Sequence, residues 1–281
     1  MIEFSLIMAT YGRKEEIDIF LKSLTVQTYD ISKVEIIIVD QNDKIILDDI
    51  CSKYNSILNI KHIKSDKKGL SFNRNIGLEV ASGKYIAFPD DDCTYYPNTL
   101  LEVEKIFNEE KNLDVALGRI YDKKTQKNII RNWKNYLYKV NINNFFLSYS
   151  SITIFLKRNT IKFDDQFGVG TFFGSSEDAD YILQLLKSKK SIVYTPNIEV
   201  WHPDLSGNVM SEEKIYSYGL GFGALVKKHL SLSLIYLFIQ AIGYHILKFF
   251  SALIVFNKYE MKKRYISIVS RFKGYYLYEN K

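Results

Sequence analysis

The run "VEIIIVD", Val34 to Asp40, limits the fold more than any other part of this 281-residue chain. It is a continuous β-branched stretch without polar alternation, which predicts a strand buried on both faces. Such strands belong to sheets that helices cover on both sides. Phe4 to Ala9 predicts another buried strand, followed by the loop "TYGR". Ile17, Phe20, Leu21 and Leu24 then recur at the spacing of one helical face. "LNIKHI" is a weaker strand. "SFNRNIGLEVASG" is a helix with Ser71 as its N-cap and Gly83 as its stop, and "KYIAF" is the next strand. Strand and helix alternate, so the first third is α/β with a largely parallel sheet.

A helix follows from Asn98 to about Glu110, then the strands "VALGRI" and "SSITIFLKR". "EDADYILQLLK" is a helix and "SIVY" a strand that closes at "PNIEVWHPD", so the α/β part ends near Asp204. The character changes from Ser211. "SEEKIYSYGLGFGALVKKH" is helical with three glycines, and "LSLSLIYLFIQAIGYHILKFFSALIVF" is strongly apolar before the basic "NKYEMKKRY". The apolar run is long enough for a bilayer span of ~20 residues, but Gln240, His245 and Lys248 interrupt it. A full transmembrane span is one reading, which those polar residues weigh against, and two others stay open. One is a pair of core helices packed on the α/β domain. The other is an interfacial hairpin on a membrane, held by Lys227, Lys228 and the later basic cluster.

The net charge of +6 is too small to argue for nucleic acid as a partner, but suits an anionic ligand or membrane surface. Cys51 and Cys93 form neither a disulfide framework nor a zinc pattern. "MIEFSLIMATYGRK" carries Glu3, no basic leader and a short apolar run, so a cytoplasmic location is expected.

In an open α/β sheet, ligands bind outside the carboxyl ends of the strands. Thr10 and Tyr11 follow the first strand, Asp40 ends the second, and Asp90, Asp91 and Asp92 end a later one. Clustered carboxylates there suit Mg2+ or Mn2+, hard cations that take oxygen ligands and bridge to a diphosphate. The plainer alternative is a solvated acidic turn capping the helix near Asn98. Arg74 offers a guanidinium fork to phosphate oxygens, or is a surface arginine. Glu177, Asp178 and Asp180 open a helix, where they complement its dipole or where one serves as a general base. His202, after a strand beside the crevice, can complete a metal shell or be merely structural.

Four blocks in this order resemble the family 2 glycosyltransferases of the GT-A fold. They are "SLIMATYGR", "EIIIVDQND", "GLSFNRNIGLEVASGKYIAFPDDD" and "FGSSEDADYILQLLKSKKSIVYTPNIEVWHPD". The resemblance implies an α/β/α three-layer sandwich with a mostly parallel central sheet and a C-terminal helical extension. It divides the chain into a catalytic domain, 1–204, and a helical C-terminal region, 205–281, for which membrane contact and packing on the core both stay open. The nucleotide-binding half would be about 1–97 and the acceptor half 98–204. Thr10, Tyr11 and Arg13 would line the nucleotide pocket, with Asp40 on the nucleobase and Arg74 on the ribose or diphosphate. Asp90 and Asp91 would lie by the ribose and metal, Asp92 and His202 would ligate Mn2+ or Mg2+, and Asp178 would be the catalytic base, with Glu177 and Asp180 in support. The implied reaction is inverting transfer from a nucleotide-diphosphate sugar, a uridine one being the commonest. The acceptor would be a lipid-linked glycan of capsule or O-antigen type at the inner face of the cell membrane. "YGLGFGALVKKH" and "RFKGYY" resemble tails of bacterial polysaccharide glycosyltransferases in this family. Cys93 after the aspartates and Pro89 before them depart from the usual pattern but remove no ligand. Two rival readings are a haloacid-dehalogenase-like phosphatase, using Asp90 and Asp92 in D-x-D-x-T, and an inactive binding subunit. The phosphatase motif normally sits on the first strand, whereas at least three strands precede it here.

Overall fold

The computed structural model describes residues 1–204 and 210–279. The start expected for the C-terminal region, at 205, lies outside the described residues. The first third forms strands β1 (Phe4–Thr10), β2 (Val34–Asp40), β3 (Asn59–Lys64) and β4 (Tyr85–Ala87). Between them run helices α1 (Glu15–Leu24), α2 (Asp48–Tyr54) and α3 (Leu70–Val80). β5 (Thr94–Tyr95), α4 (Thr99–Glu109), β6 (Val115–Asp122), β7 (Lys127–Asn128), β8 (Tyr138–Lys139) and β9 (Ile154–Lys157) follow. Helix α5 (Glu177–Lys187) and strand β10 (Ile192–Trp201) complete the α/β part. Three C-terminal helices come last, α6 (Glu212–Lys228), α7 (Leu232–Ile254) and α8 (Lys258–Leu277).

The chain divides into two units. The first takes in Met1–Lys68, Phe72–Lys162 and the stretch from Gln184 through β10. The second takes in Gly69–Ser71, Phe163–Leu183 and the C-terminal helices.

The sheet lies in the first unit, in the order β3-β2-β1-β4-β9-β6-β10-β5, with β7 against β6 and β8 against β10. β1 pairs parallel with β2 and β4, β2 with β3, and β6 with β10. β9 runs antiparallel to both β4 and β6. The fold is thus the mixed, mostly parallel sheet with helices that was expected. Every residue of β2 is buried, as its β-branched run predicts, and Glu35 and Asp40 are buried with the rest.

One of those buried residues is Glu35, whose carboxylate ties three segments together. Its Oε1 accepts from Ser5 Oγ of β1 and, at 2.6 Å, from Ser82 N beyond α3. Its Oε2 meets Lys61 Nζ of β3 at 2.6 Å. Burial alone would raise the Glu35 pKa, but Lys61, Ser5 and Ser82 outweigh it and hold it at about 2. Beside this knot Gly83 N donates to Ser5 Oγ. A Cβ on Gly83 would come within 2.6 Å of Ser5 N, so the glycine is there for close backbone approach.

Several local expectations need correction. Helix α3 starts at Leu70, so Ser71 is not its N-cap; the Ser71 hydroxyl donates to Phe167 O at 2.6 Å. The helix ends at Val80, before Gly83. "SIVY" and "PNIEVW" form one strand whose pairing with β6 shifts register between Tyr194 and Glu199. Pro196 falls in that irregularity, where the missing N–H costs no ladder bond.

In the second unit, α6 and α8 touch backbone to backbone. A Cβ on Gly223 would meet Arg271 O at 2.0 Å, and one on Gly274 would meet Leu220 O at 2.0 Å. The glycines of "GLGFG" therefore have a packing role. Helix α7 is long and apolar enough to cross a membrane by length and composition. It buries Leu234, His245 and Ala252 within the unit. Leu232, Tyr236, Ile239, Leu247, Phe250 and Ile254 stay exposed at three- and four-residue spacings. It is therefore not a core helix. The basic "NKYEMKKRY" starts α8, which hydropathy alone did not mark as a helix.

Glu35→Ala is expected to cost about 2 kcal/mol of stability, because the Ser5 and Ser82 donors lose their buried acceptor. The Glu35 contribution is complete above its ordinary 4.5 and fades as the pH falls toward about 2. Thermal unfolding of both proteins across that range should therefore show their stability difference shrinking with acid.

Candidate active site

Parallel registration sets the first edge of the site. Thr10 stands opposite Asp40 at the carboxyl ends of β1 and β2. β4 stops at Ala87 beside β1, so Asp90, Asp91 and Asp92 emerge at the same edge. Cys93 N donates to Asp90 O and closes a turn with Asp91 and Asp92 at its centre. The chain then enters β5, which pairs antiparallel with the end of β10, Thr94 against Trp201. That pairing brings His202 back to the acidic turn. Cys93 is buried between the turn and β5, which accounts for an apolar side chain in that position.

One ligand atom from each of Asp90, Asp92 and His202 lies within 4.8 Å of the others. His202 Nε2 is 3.3 Å from Asp92 Oδ1. The other ring nitrogen, Nδ1, donates to Pro203 O at 2.8 Å, which leaves Nε2 to face the carboxylates. Two carboxylates and an imidazole so oriented fit a Mn2+ or Mg2+ ion.

The remaining charges surround this group. Arg13 pairs with both Asp91 and Asp92. Arg74 is almost fully buried, at 1% exposure, and its Nη2 donates to Asp90 Oδ1 at 2.8 Å. It is therefore no surface arginine. Asp91 turns the other way and accepts from Thr10 Oγ1 at 2.7 Å. Burial raises the Asp91 carboxyl to about 6, against the pull of Thr10 and Arg13. Asp92 goes down to about 2, because His202 and Arg13 outweigh its burial. Asp92 in turn raises His202 despite the burial of its ring. Three adjacent aspartates are tolerable because their environments divide them.

Asp40 is fully buried and already engaged. Its Oδ1 accepts from Asn42 N and Nδ2, both at 2.8 Å, and its Oδ2 meets His62 Nε2 at 2.9 Å and Lys64 Nζ at 2.6 Å. Asn42 Oδ1 in turn accepts from Gly12 N at 2.6 Å, which holds the loop after β1. Tyr11 of that loop is 60% exposed, with Lys68 Nζ 4.8 Å from its ring centre. Lys68 also donates to Gln41 O and to Asp43. Asn42, His62 and Lys68 were not anticipated. The polar "DQND" ending a buried strand was the available signal for Asn42.

Glu177, Asp178 and Asp180 lie in the second unit, in the first turn of α5. Ser176, at φ 71°, turns the chain into that helix. Asp178 is half-buried and accepts from Ala179 N at 2.8 Å. Asp180 is fully buried and meets His229 Nε2 at 2.6 Å and Lys228 Nζ at 2.8 Å. Its part is to fasten α5 to the end of α6.

The profile described as "Glycosyl transferase family 2" matches residues 5–201. Among curated relatives, the poly(ribitol-phosphate) beta-N-acetylglucosaminyltransferase TarP of Staphylococcus aureus is 26% identical over 203 residues, covering 68% of this chain and 59% of TarP. The chain spans less than two thirds of the length of the first curated relatives it matches. Among solved structures, S. aureus TarS 1–349 in complex with UDP-GlcNAc matches with a TM-score of 0.57 at 20% identity, covering 82% of this chain and 72% of that one. The mannosyltransferase PcManGT from Pyrobaculum calidifontis, in complex with GDP-Man and Mn2+, matches with a TM-score of 0.66 at 12% identity, covering 98% and 87%. These likenesses show the GT-A fold. The acidic turn follows the fourth strand of such a domain, which removes the phosphatase reading. With the profile running from Ser5 through Trp201, across the whole sheet, the chain belongs to glycosyl transferase family 2.

Proposed function

We propose that this chain transfers a sugar from a nucleotide-diphosphate sugar, a uridine diphosphate sugar in the first instance, to an acceptor hydroxyl with inversion. The convergence of Asp90, Asp92 and His202 at the carboxyl edge of the sheet carries this reading. The TarS complex with UDP-GlcNAc supports the uridine donor. These three residues would hold Mn2+ or Mg2+, which supplies positive charge to diphosphate oxygens when bound. Arg74 and Arg13 add fixed charge for the departing nucleoside diphosphate. Tyr11 offers its exposed ring to the nucleobase, and Thr10 fixes Asp91 behind the ribose side. Asp40 has three partners already, so we assign it the support of Asn42 and the Tyr11 loop.

Asp178 is the proposed base, with Glu177 beside it. Its carboxylate takes the proton from the acceptor hydroxyl, and that oxygen attacks the anomeric carbon opposite the leaving group. The acceptor is proposed to be a cell-surface glycan or its lipid-linked precursor; the name of TarP, with its poly(ribitol phosphate), supports a polymeric acceptor. A cytoplasmic chain in peripheral contact with the inner membrane face fits the exposed apolar side of α7.

Asp178→Asn is expected to abolish transfer from UDP-GlcNAc to poly(ribitol phosphate), used as a trial pair, while calorimetry still records UDP binding near the parent affinity. Transfer at the parent rate by this variant would remove Asp178 from the base role. Asp92→Ala should weaken Mn2+-dependent UDP binding by about 10–100-fold. UDP affinity indifferent to Mn2+ in the parent protein would discard the Asp90–Asp92–His202 site.

A further inference from the structure

We infer that the C-terminal helices carry a phosphate-binding site built from Arg264 and Arg271 of α8 and His245 of α7. It is separate from the donor chemistry proposed above. Arg264, Ser267 and Arg271 recur at three- and four-residue spacing and so share one face of α8. The Arg264 guanidinium lies 5.5 Å from the Tyr244 ring of α7, and that of Arg271 lies 5.5 Å from the Phe222 ring of α6. His245 sits next to Tyr244, with ring centres 5.3 Å apart. Arg264 thus lies against α7 and Arg271 against α6, and the charges of both act on His245.

The charges on these side chains do not balance. Glu260 is the carboxylate there, and it accepts from Arg264 at 2.6 Å and from Lys263 at 3.4 Å. Arg271 meets no carboxylate among the described residues. Its Nη1 donates to Ser267 O of its own helix, and its Nε is buried without a partner. His245 is 9% exposed, and its Nδ1 is also buried without a partner. Burial together with Arg271, Arg264 and Lys263 lowers the His245 pKa to about 4, so neighbouring positive charge goes uncompensated. A half-buried guanidinium with a backbone carbonyl in place of a counter-ion is poorly compensated, and an anion is what offsets it. Two guanidiniums and an imidazole suit phosphate oxygens. Ile246 and Leu247, which follow His245, are exposed and apolar. A phosphate on an apolar chain therefore fits better than free phosphate, though the anion chemistry is the same.

The test uses the full chain and Arg271→Met, with Arg264→Gln as a second variant. Thermal unfolding is followed with inorganic phosphate against sodium chloride of equal ionic strength. Flotation is followed with phosphatidylcholine vesicles, with and without phosphatidic acid. Without anion, Arg271→Met should unfold no lower than the parent, since it removes a half-buried guanidinium that has no counter-ion among the described residues. A phosphate-dependent rise in the parent, lost in both variants, supports the site with free phosphate as ligand. Phosphatidic-acid-dependent flotation weakened about tenfold in both variants, without that rise, supports it with a lipid headgroup. Either supporting result should leave the stabilisation by UDP intact in both variants, which separates this site from the donor site. If parent and variants respond alike to phosphate and to phosphatidic acid, or chloride matches phosphate, the proposal is overturned.

Discussion

A two-residue strand pairing turns the acidic turn into a site. β5 lies directly after Asp92 and Cys93, and its ladder with Val200 and Trp201 sets His202 against Asp92. Without that ladder, three aspartates at a strand end would be a solvated turn. The pairing depends in turn on the long β10, whose first half is registered on β6. Residues more than a hundred positions apart are thus fixed by backbone bonds of the sheet, which are stiffer supports than side-chain contacts.

Across the first unit, buried carboxylates and the buried Arg74 have counter-ions. Glu35 has Lys61, Arg74 has Asp90, and Asp40 has Lys64 and His62. In the second unit Lys228 answers both Asp164 and Asp180. These pairs specify which segments meet more than they add stability, because desolvation takes back much of the Coulomb gain. Against that background Arg271, half-buried, has a backbone carbonyl where these groups have a counter-ion.

Much of the fold was legible from local pattern. The β-branched run of β2 and the alternation of strand and helix around it marked a parallel sheet, because each strand records its own two-sided burial. The acidic turn, Arg74 and His202 were legible as residues at strand ends. What Arg74 touches was not legible, since burial of an arginine is decided by a partner sixteen positions away. Glu35 read as one polar letter in an apolar run, and its role needs Ser5, Lys61 and Ser82 brought together by the sheet. The engagement of Asp40 was hidden likewise, because Lys64 and His62 come from the neighbouring strand. Helix α8 was missed because its buried positions are serines and a glycine, which carry no hydropathy signal.

The glycine contact between α6 and α8 has a consequence for how the chain is made. The two helices meet across the whole intervening length of α7, so α6 cannot find its partner until α8 has left the ribosome. During that interval the glycine-rich α6 lacks the packing that offsets its weak intrinsic helicity. The apolar α7 emerges next, with no α8 to cover its inner face. Synthesis therefore passes through a stage in which this region exposes more apolar surface than the finished protein does. That stage is when a chaperone or a nearby bilayer has most to hold.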